Sequence, residues 1–184
     1  METSYLTSIV KQFKYYKALG DRTIAQLNFD QLKIEVVEDT NSVAIIIKHI
    51  SGNMLSRWTH FLTEDGEKPW RQRDDEFIDH FNSKEELLSA WEAGWTCLFN
   101  ALESLNSEHL EQLIYIRNQG HTVTEAINRQ LAHYAYHVGQ MVFLGKLLKG
   151  KDWMSLSIPK GKSETYNQEK FHQEKGRRHF TDDL

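Results

Sequence analysis

The sequence predicts an all-α protein: a four-helix bundle with one long crossover loop and a polar C-terminal tail. Only two prolines, Pro69 and Pro159, occur in 184 residues, so few positions force a long helix to break. Four stretches place apolar residues three and four apart, the spacing of one helix face. A hydrophobic content of 40% is enough for one core in a chain of single-domain length. The expected division is a bundle over residues 1–150 and a polar tail over 151–184 that is placed to pack over it.

From Tyr5 to about Leu27 the apolar residues Leu6, Ile9, Val10, Phe13, Tyr16, Ile24 and Leu27 define the first helix, with a kink expected at Gly20. Asn28 to Asp39 reads as a connection. Thr40, Asn41 and Ser42 are capping residues ahead of VAIIIKHISGNMLSRWTHFL. Val43 to Ile47 would suit a short buried strand equally well, but the pattern continues through Ile50, Met54, Leu55, Trp58 and Phe61, and that length favours a second helix. Glu64 to Asn82 shows no periodicity and is the crossover loop, long enough to suggest a functional or mobile segment. Ser83 and Glu86 form a capping box ahead of the third helix, whose stripe is Leu87, Leu88, Trp91, Trp95, Leu98, Phe99, Leu102 and Leu105. Leu113 to Ile116 favours a strand and Asn118 to Gly120 a turn, so this segment is a small hairpin or a loop. Val123 to about Leu148 is the fourth helix, and its apolar face, which includes Ala126, Ile127, Leu131, Val138, Met141 and Leu144, is broad enough to meet several neighbours. The segment after Gly150 is too polar to order itself unaided.

Composition narrows the function classes. A formal net charge of -4 provides no global positive field for a phosphate backbone, so nucleic acid is not an expected partner. Cys97 is the single cysteine, which excludes an internal disulfide and a cysteine-rich zinc site and suits a reducing cytoplasm. It falls on the third helix stripe and is expected to be an inert buried thiol. The segment METSYLTSIVKQFKYY lacks the pattern of a signal peptide, and no apolar run approaches the roughly 20 residues of a membrane span. A cytoplasmic protein with no membrane partner is expected.

The chemistry is expected at His133 and His137. Their spacing places two imidazoles about 40° apart around the helix and one turn apart along it, where they can share a metal. Such a pair also occurs on solvated faces, but Ala126, Gln130, Met141 and Leu144 lie near the same face and indicate cover. A third ligand must come from elsewhere, and His49, beside Ile46, Ile50 and Asn53 in an apolar helix, is the best candidate. Taken alone, His49 reads as a core histidine bonded to a carbonyl; the pair favours a ligand. His60, His80, His109, His121, His172 and His179 read as solvated. Three neutral imidazoles leave a divalent ion nearly its full charge and an open position. Zinc is the conservative choice, with nickel, iron or manganese compatible.

The segment HYAYHVGQ, with Gln140 three residues beyond His137, resembles the fourth-helix signature of the DinB/YfiT-like metalloenzyme superfamily. The segment KHISGNMLSRWTHFLTEDGEKPWRQRDDEF around His49 resembles one uncharacterised branch of it. The similarity runs over about Met1 to Lys149, and its specificity lies in the combination. It implies that His49, His133 and His137 are the metal triad, that the fold is a four-helix bundle with a long crossover, and that the protein is a homodimer. Relatives include thiol S-transferases that use bacillithiol and a mycothiol-dependent isomerase, which suggests a low-molecular-weight thiol cosubstrate.

Arg57, Arg71 and Arg73 are placed to receive the carboxylates of such a thiol, although each reads singly as a salt-bridge partner of Asp74, Asp75 or Glu76. Asn53 would orient a ligand or water, or fill a polar seam. Gln140 would bond a ligand imidazole or pack between helices. Trp70, beside Pro69, is the expected pocket wall, whereas Trp91 and Trp95 belong to the core. The leading expectation is a metal-dependent transferase adding the thiol to an electrophile. The alternatives are a metal-dependent hydrolase and a metal- or ligand-binding bundle without turnover, for sensing or sequestration.

Overall fold

In the computed structural model, which describes residues 4–182, the apolar spacing of the N-terminal segment forms α1, Ser4–Gln26. The helix runs unbroken through Gly20. That glycine serves close approach rather than a kink, because a Cβ there would lie 2.4 Å from the Trp91 ring. The connection that follows contains a one-turn helix, α2 (Phe29–Leu32), held by an Asn28/Gln31 capping box.

Val43–Trp58 is the helix α3, capped by the Ser42 hydroxyl at the backbone N–H of Ile45. All of its residues are buried except Lys48, Gly52 and Leu55, which are half-buried. It stops at Trp58, short of the expected Leu62, because Thr59 turns to extended backbone and His60 takes a positive φ of 48°. The crossover contains one 3-10 turn, Asp74–Phe77, which lies against α3. The helix α4, Lys84–Glu103, starts on half of the expected box: Ser83 Oγ accepts from Glu86 N, whereas Glu86 reaches the Asn82 N–H at 2.7 Å instead.

The segment left open between hairpin and loop is a hairpin, with β1 (Leu113–Ile116) antiparallel to β2 (Gln119–Thr122). Its turn residues, Arg117 and Asn118, both have positive φ, as the tight turns that match strand twist require. The Asp65 carboxylate accepts from the backbone N–H of both at 2.8 Å, clasping the hairpin to the crossover. The helix α5, Val123–Lys149, starts on a Thr122/Glu125 capping box and ends at Gly150.

The long helices interlock in pairs: α3 packs on α4 and α5, and α1 packs on α5 and α4. Phe13, Trp91, Trp95 and Tyr134 meet edge-on or tilted in the centre, the geometry aromatic quadrupoles favour. Beyond Gly150 a short exposed helix, α6 (Ser163–Phe171), follows. The chain then returns to α1 through His179 to Ser8, Asp182 to Lys11 and Phe180 to Tyr15. No helix among the described residues is long and apolar enough to cross a membrane.

Candidate metal centre

Helical spacing assembles the site. On α3, His49, Asn53 and Arg57 recur every four residues and share one face; on α5, Gln130, His133, His137 and Gln140 do the same at spacings of three and four. Where α3 meets α5, His133 Nε2 lies 3.4 Å from His49 Nε2 and 3.0 Å from His137 Nε2. All three ligating nitrogens fall within 4.8 Å of one another. A tetrahedral ion with bonds of about 2.0–2.1 Å separates its ligand atoms by roughly 3.4 Å, so the three sit at the right spacing for one divalent cation.

The outer nitrogens set the tautomers. His49 Nδ1 donates to Glu76 Oε2 at 2.9 Å, His137 Nδ1 to Gln140 Oε1 at 2.8 Å, and His133 Nδ1 faces Gln130 Oε1 at 3.4 Å. With each Nδ1 carrying the proton, three unprotonated Nε2 lone pairs converge on one point. Three acceptors facing one another repel unless a cation lies between them, and this donor set fits a divalent ion. Burial, then His137, His49, Arg57 and Arg71, push the His133 pKa down to about 3. Burial, then His49, push that of His137 down to about 4 against the opposing Gln140 bond. Both rings are therefore neutral, and ready to ligate, at physiological pH.

Glu76 enters from the 3-10 turn. A Cβ at residue 52 would lie 2.5 Å from its Oε1, so glycine at this point of α3 lets the carboxylate reach His49. Arg71 grips the same carboxylate through two bonds of 2.8 Å, Nε to Oε1 and Nη2 to Oε2. Burial pushes the Glu76 pKa up, but the bonds from His49 and Arg71 outweigh it and hold the group below the ordinary carboxylate value. Phe77, from the same turn, stacks on the His49 ring with centroids 4.9 Å apart.

A pocket of about 270 Å³ opens beside the triad, lined by His49, His133, Gln130 and Asn53 and by Arg57, Arg71, Arg73, Arg117 and Arg129. Of the expected site residues, Asn53 is held by the Tyr134 hydroxyl, which donates to its Oδ1 at 3.0 Å. Arg57 is buried and donates to the Gly66 carbonyl and to Glu67. Arg71 belongs to the ion pair with Glu76, and its side chain is only 2% exposed, so its role is to support His49 rather than to meet a ligand. Arg73 is half exposed and lies over the Phe77 ring. Trp70 is not brought to the pocket: it stands 56% exposed, outside the lining. Trp91 and Trp95 are core residues. Cys97 is half-buried against Thr59 and the Met54 carbonyl, in the wall of a larger groove of about 730 Å³ between the end of α3 and α4. That groove contains none of the triad.

Sequence reasoning missed Glu76 as the His49 partner, and missed Arg117 and Arg129 entirely. Gln130, three residues before His133, mirrors Gln140, three residues after His137, and that symmetry was legible. Glu76 is expected from sequence only as a salt-bridge partner of a loop arginine, which it is for Arg71, and nothing in the irregular loop announces its bond to His49.

No curated protein and no solved structure matches this sequence. Residues 1–162 match a family described as "Protein of unknown function (DUF1572)", a stretch that contains α1 to α5, the three histidines, Glu76 and all five arginines of the pocket. This chain belongs to that family.

Proposed function

We propose that the protein is a metal-dependent transferase that adds a low-molecular-weight thiol to an electrophile. In this reading α1, α3, α4 and α5 form a four-helix bundle of the DinB/YfiT-like kind, with the chain over 59–82 as its crossover. His49, His133 and His137 hold one divalent ion, zinc by preference, with nickel, iron or manganese compatible with the same ligands. The observation that carries the reading is the convergence of three Nε2 atoms whose rings are each held from outside by a hydrogen bond at Nδ1. A bound ion would act as a Lewis acid and lower the pKa of a thiol or water at its open position.

The side chains around it bind and orient. Tyr134, fully buried and with its pKa pushed up by that burial, keeps its proton and fixes Asn53 Oδ1, leaving the Asn53 amide N–H groups as donors toward the pocket. The lining contains no carboxylate, and Glu76 is occupied on both oxygens. A group able to deprotonate water is therefore lacking in the pocket, which favours thiol transfer over hydrolysis. We further propose a cytoplasmic homodimer. Exposed Tyr136, Phe143 and Leu147, on one side of α5, offer a face for a second copy.

Metal analysis of the purified full chain beside His49→Ala and His133→Ala tests the reading. One ion per chain in the parent and loss in both variants is expected; stoichiometric metal in both variants would eliminate the triad. Metal retention without thiol-dependent turnover across a panel of electrophiles would instead leave sensing or sequestration.

A further inference from the structure

The pocket beside the triad contrasts with the rest of the molecule. In a chain of net charge -4, its lining holds five arginines and no acid. These arginines come from α3 (Arg57), the crossover (Arg71 and Arg73), the hairpin turn (Arg117) and α5 (Arg129). Three acids nearby, Glu67, Glu76 and Asp65, are already engaged. Glu67 Oε2 alone accepts from Arg57, Arg71 and Arg117, at 3.0, 3.1 and 3.2 Å. Glu76 is shared by Arg71 and His49. Asp65 accepts from the backbone of Glu67, Arg117 and Asn118. Asp74, fully exposed and 3.7 Å from Arg73, is a weak partner. Arg129 makes no ion pair among the described residues and donates to the His121 ring at 3.2 Å. Arg57, 7% exposed, has an Nε with no hydrogen-bond partner among the described residues. Guanidinium groups converging from separate chain segments, with donors unspent, are the arrangement that recognises oxyanions.

We propose that this vestibule is an anion-recognition site. It takes a dianionic end, a phosphate monoester or a pair of carboxylates, of the small molecule acted on at the triad. The inference rests on the metal reading only in saying what the anion is attached to. The partly exposed Arg73, Arg117 and Arg129 make the capturing contacts. Arg57 and Arg71 form the buried positive floor, and the Asn53 amide adds a neutral donor. The volume of about 270 Å³ suits a small headgroup and excludes a folded partner.

The test is calorimetric titration of the metal-analysed full chain with inorganic phosphate and, separately, with succinate, at low and high chloride. Both Arg73 and Arg129 are exposed, so Arg73→Gln and Arg129→Gln leave the core intact, and circular dichroism and metal content should match the parent. The parent is expected to bind at least one of the anions with a Kd of about 1 mM or tighter. Each variant should bind about tenfold more weakly, and affinity should fall with salt. Preference for phosphate or for succinate identifies the source of the charge. Absence of binding by either anion, or variants that bind as the parent does, would overturn the inference while leaving the metal reading intact. Binding lost on chelation but unaffected in the arginine variants would overturn it too, since the anion would then be only a metal ligand. Binding that survives chelation and weakens in the arginine variants would support the anion site whatever the metal content, so that the two readings fail separately.

Discussion

The helix α3 has two buried sides of opposite chemistry. One side, with Ile47, Ile50, Met54 and Trp58, is apolar core. The other, with His49, Asn53 and Arg57, is equally hidden from water, at 5–7% exposure, yet every residue on it carries a polar group with a named partner. Burial alone therefore does not distinguish scaffold from site. The apolar side tolerates any filling of similar shape. The polar side depends on its hydrogen bonds, because a group that loses its partner there bears its full desolvation cost, and one donor, Arg57 Nε, already stands without a partner among the described residues.

That contrast can be broken experimentally, and the largest effect is expected at the charge that holds Glu76. Arg71→Met should cost about 3–5 kcal/mol of unfolding free energy, because it leaves a buried carboxylate with His49 as its remaining partner. Urea denaturation of the variant beside Arg71→Met/Glu76→Gln should show the double change to be the milder one; equal losses would mean the two do not act as a pair. On the apolar side, Ile50→Ala should cost about 2–5 kcal/mol through cavity formation. Its loss should be the same with and without metal, and metal-dependent loss would show that the two sides are not separable.

Acid should act on the polar side selectively. His133 and His137 have folded-state pKa values depressed to about 3 and about 4, below the roughly 6.5 of an unfolded histidine. Their contribution is thus fully present above pH of about 6.5 and is lost as pH falls toward the folded values, because the unfolded chain takes up protons that the folded one refuses. Melting temperatures of metal-free protein should fall through that window, and a His133→Phe variant should fall less steeply. Smaller in stability than Arg71→Met, because Arg71 keeps Glu67 as an ion-pair partner, but visible in ligation, Glu76→Gln should weaken metal binding by about 10–100-fold, measured by chelator competition. An unchanged affinity would remove Glu76 from the site.

What could be read beforehand follows the same division. The helices were legible because their apolar periodicity is a local property. His133 and His137 were legible because one turn of helix fixes their relation without any knowledge of the fold. His49 needed the pair and the resemblance to be singled out. Glu76 stood in a stretch without periodicity, and its role depends on the 3-10 turn being laid against α3 at a residue with no side chain. Arg117 and Arg129 lie 12 residues apart in sequence and meet only because the hairpin folds back beside α5. The end of α3 at Trp58 is hidden from the sequence for a different reason: Phe61 and Leu62 continue the apolar pattern, but the left-handed His60 sends them toward the core from a loop. The composition of the tail is too polar to order it unaided, and its return to α1 through His179, Phe180 and Asp182 is aid from the folded part.

The bare Cα of Gly52 gives the site a vulnerability remote from any ligand atom. A single added methyl would press to 2.5 Å from Glu76 Oε1, pushing the carboxylate away from the imidazole it steadies while altering no charge and no coordinating nitrogen. Alanine at that position would act as an inhibitor encoded in the backbone, loosening the grip on an ion from the far side of the ring that binds it.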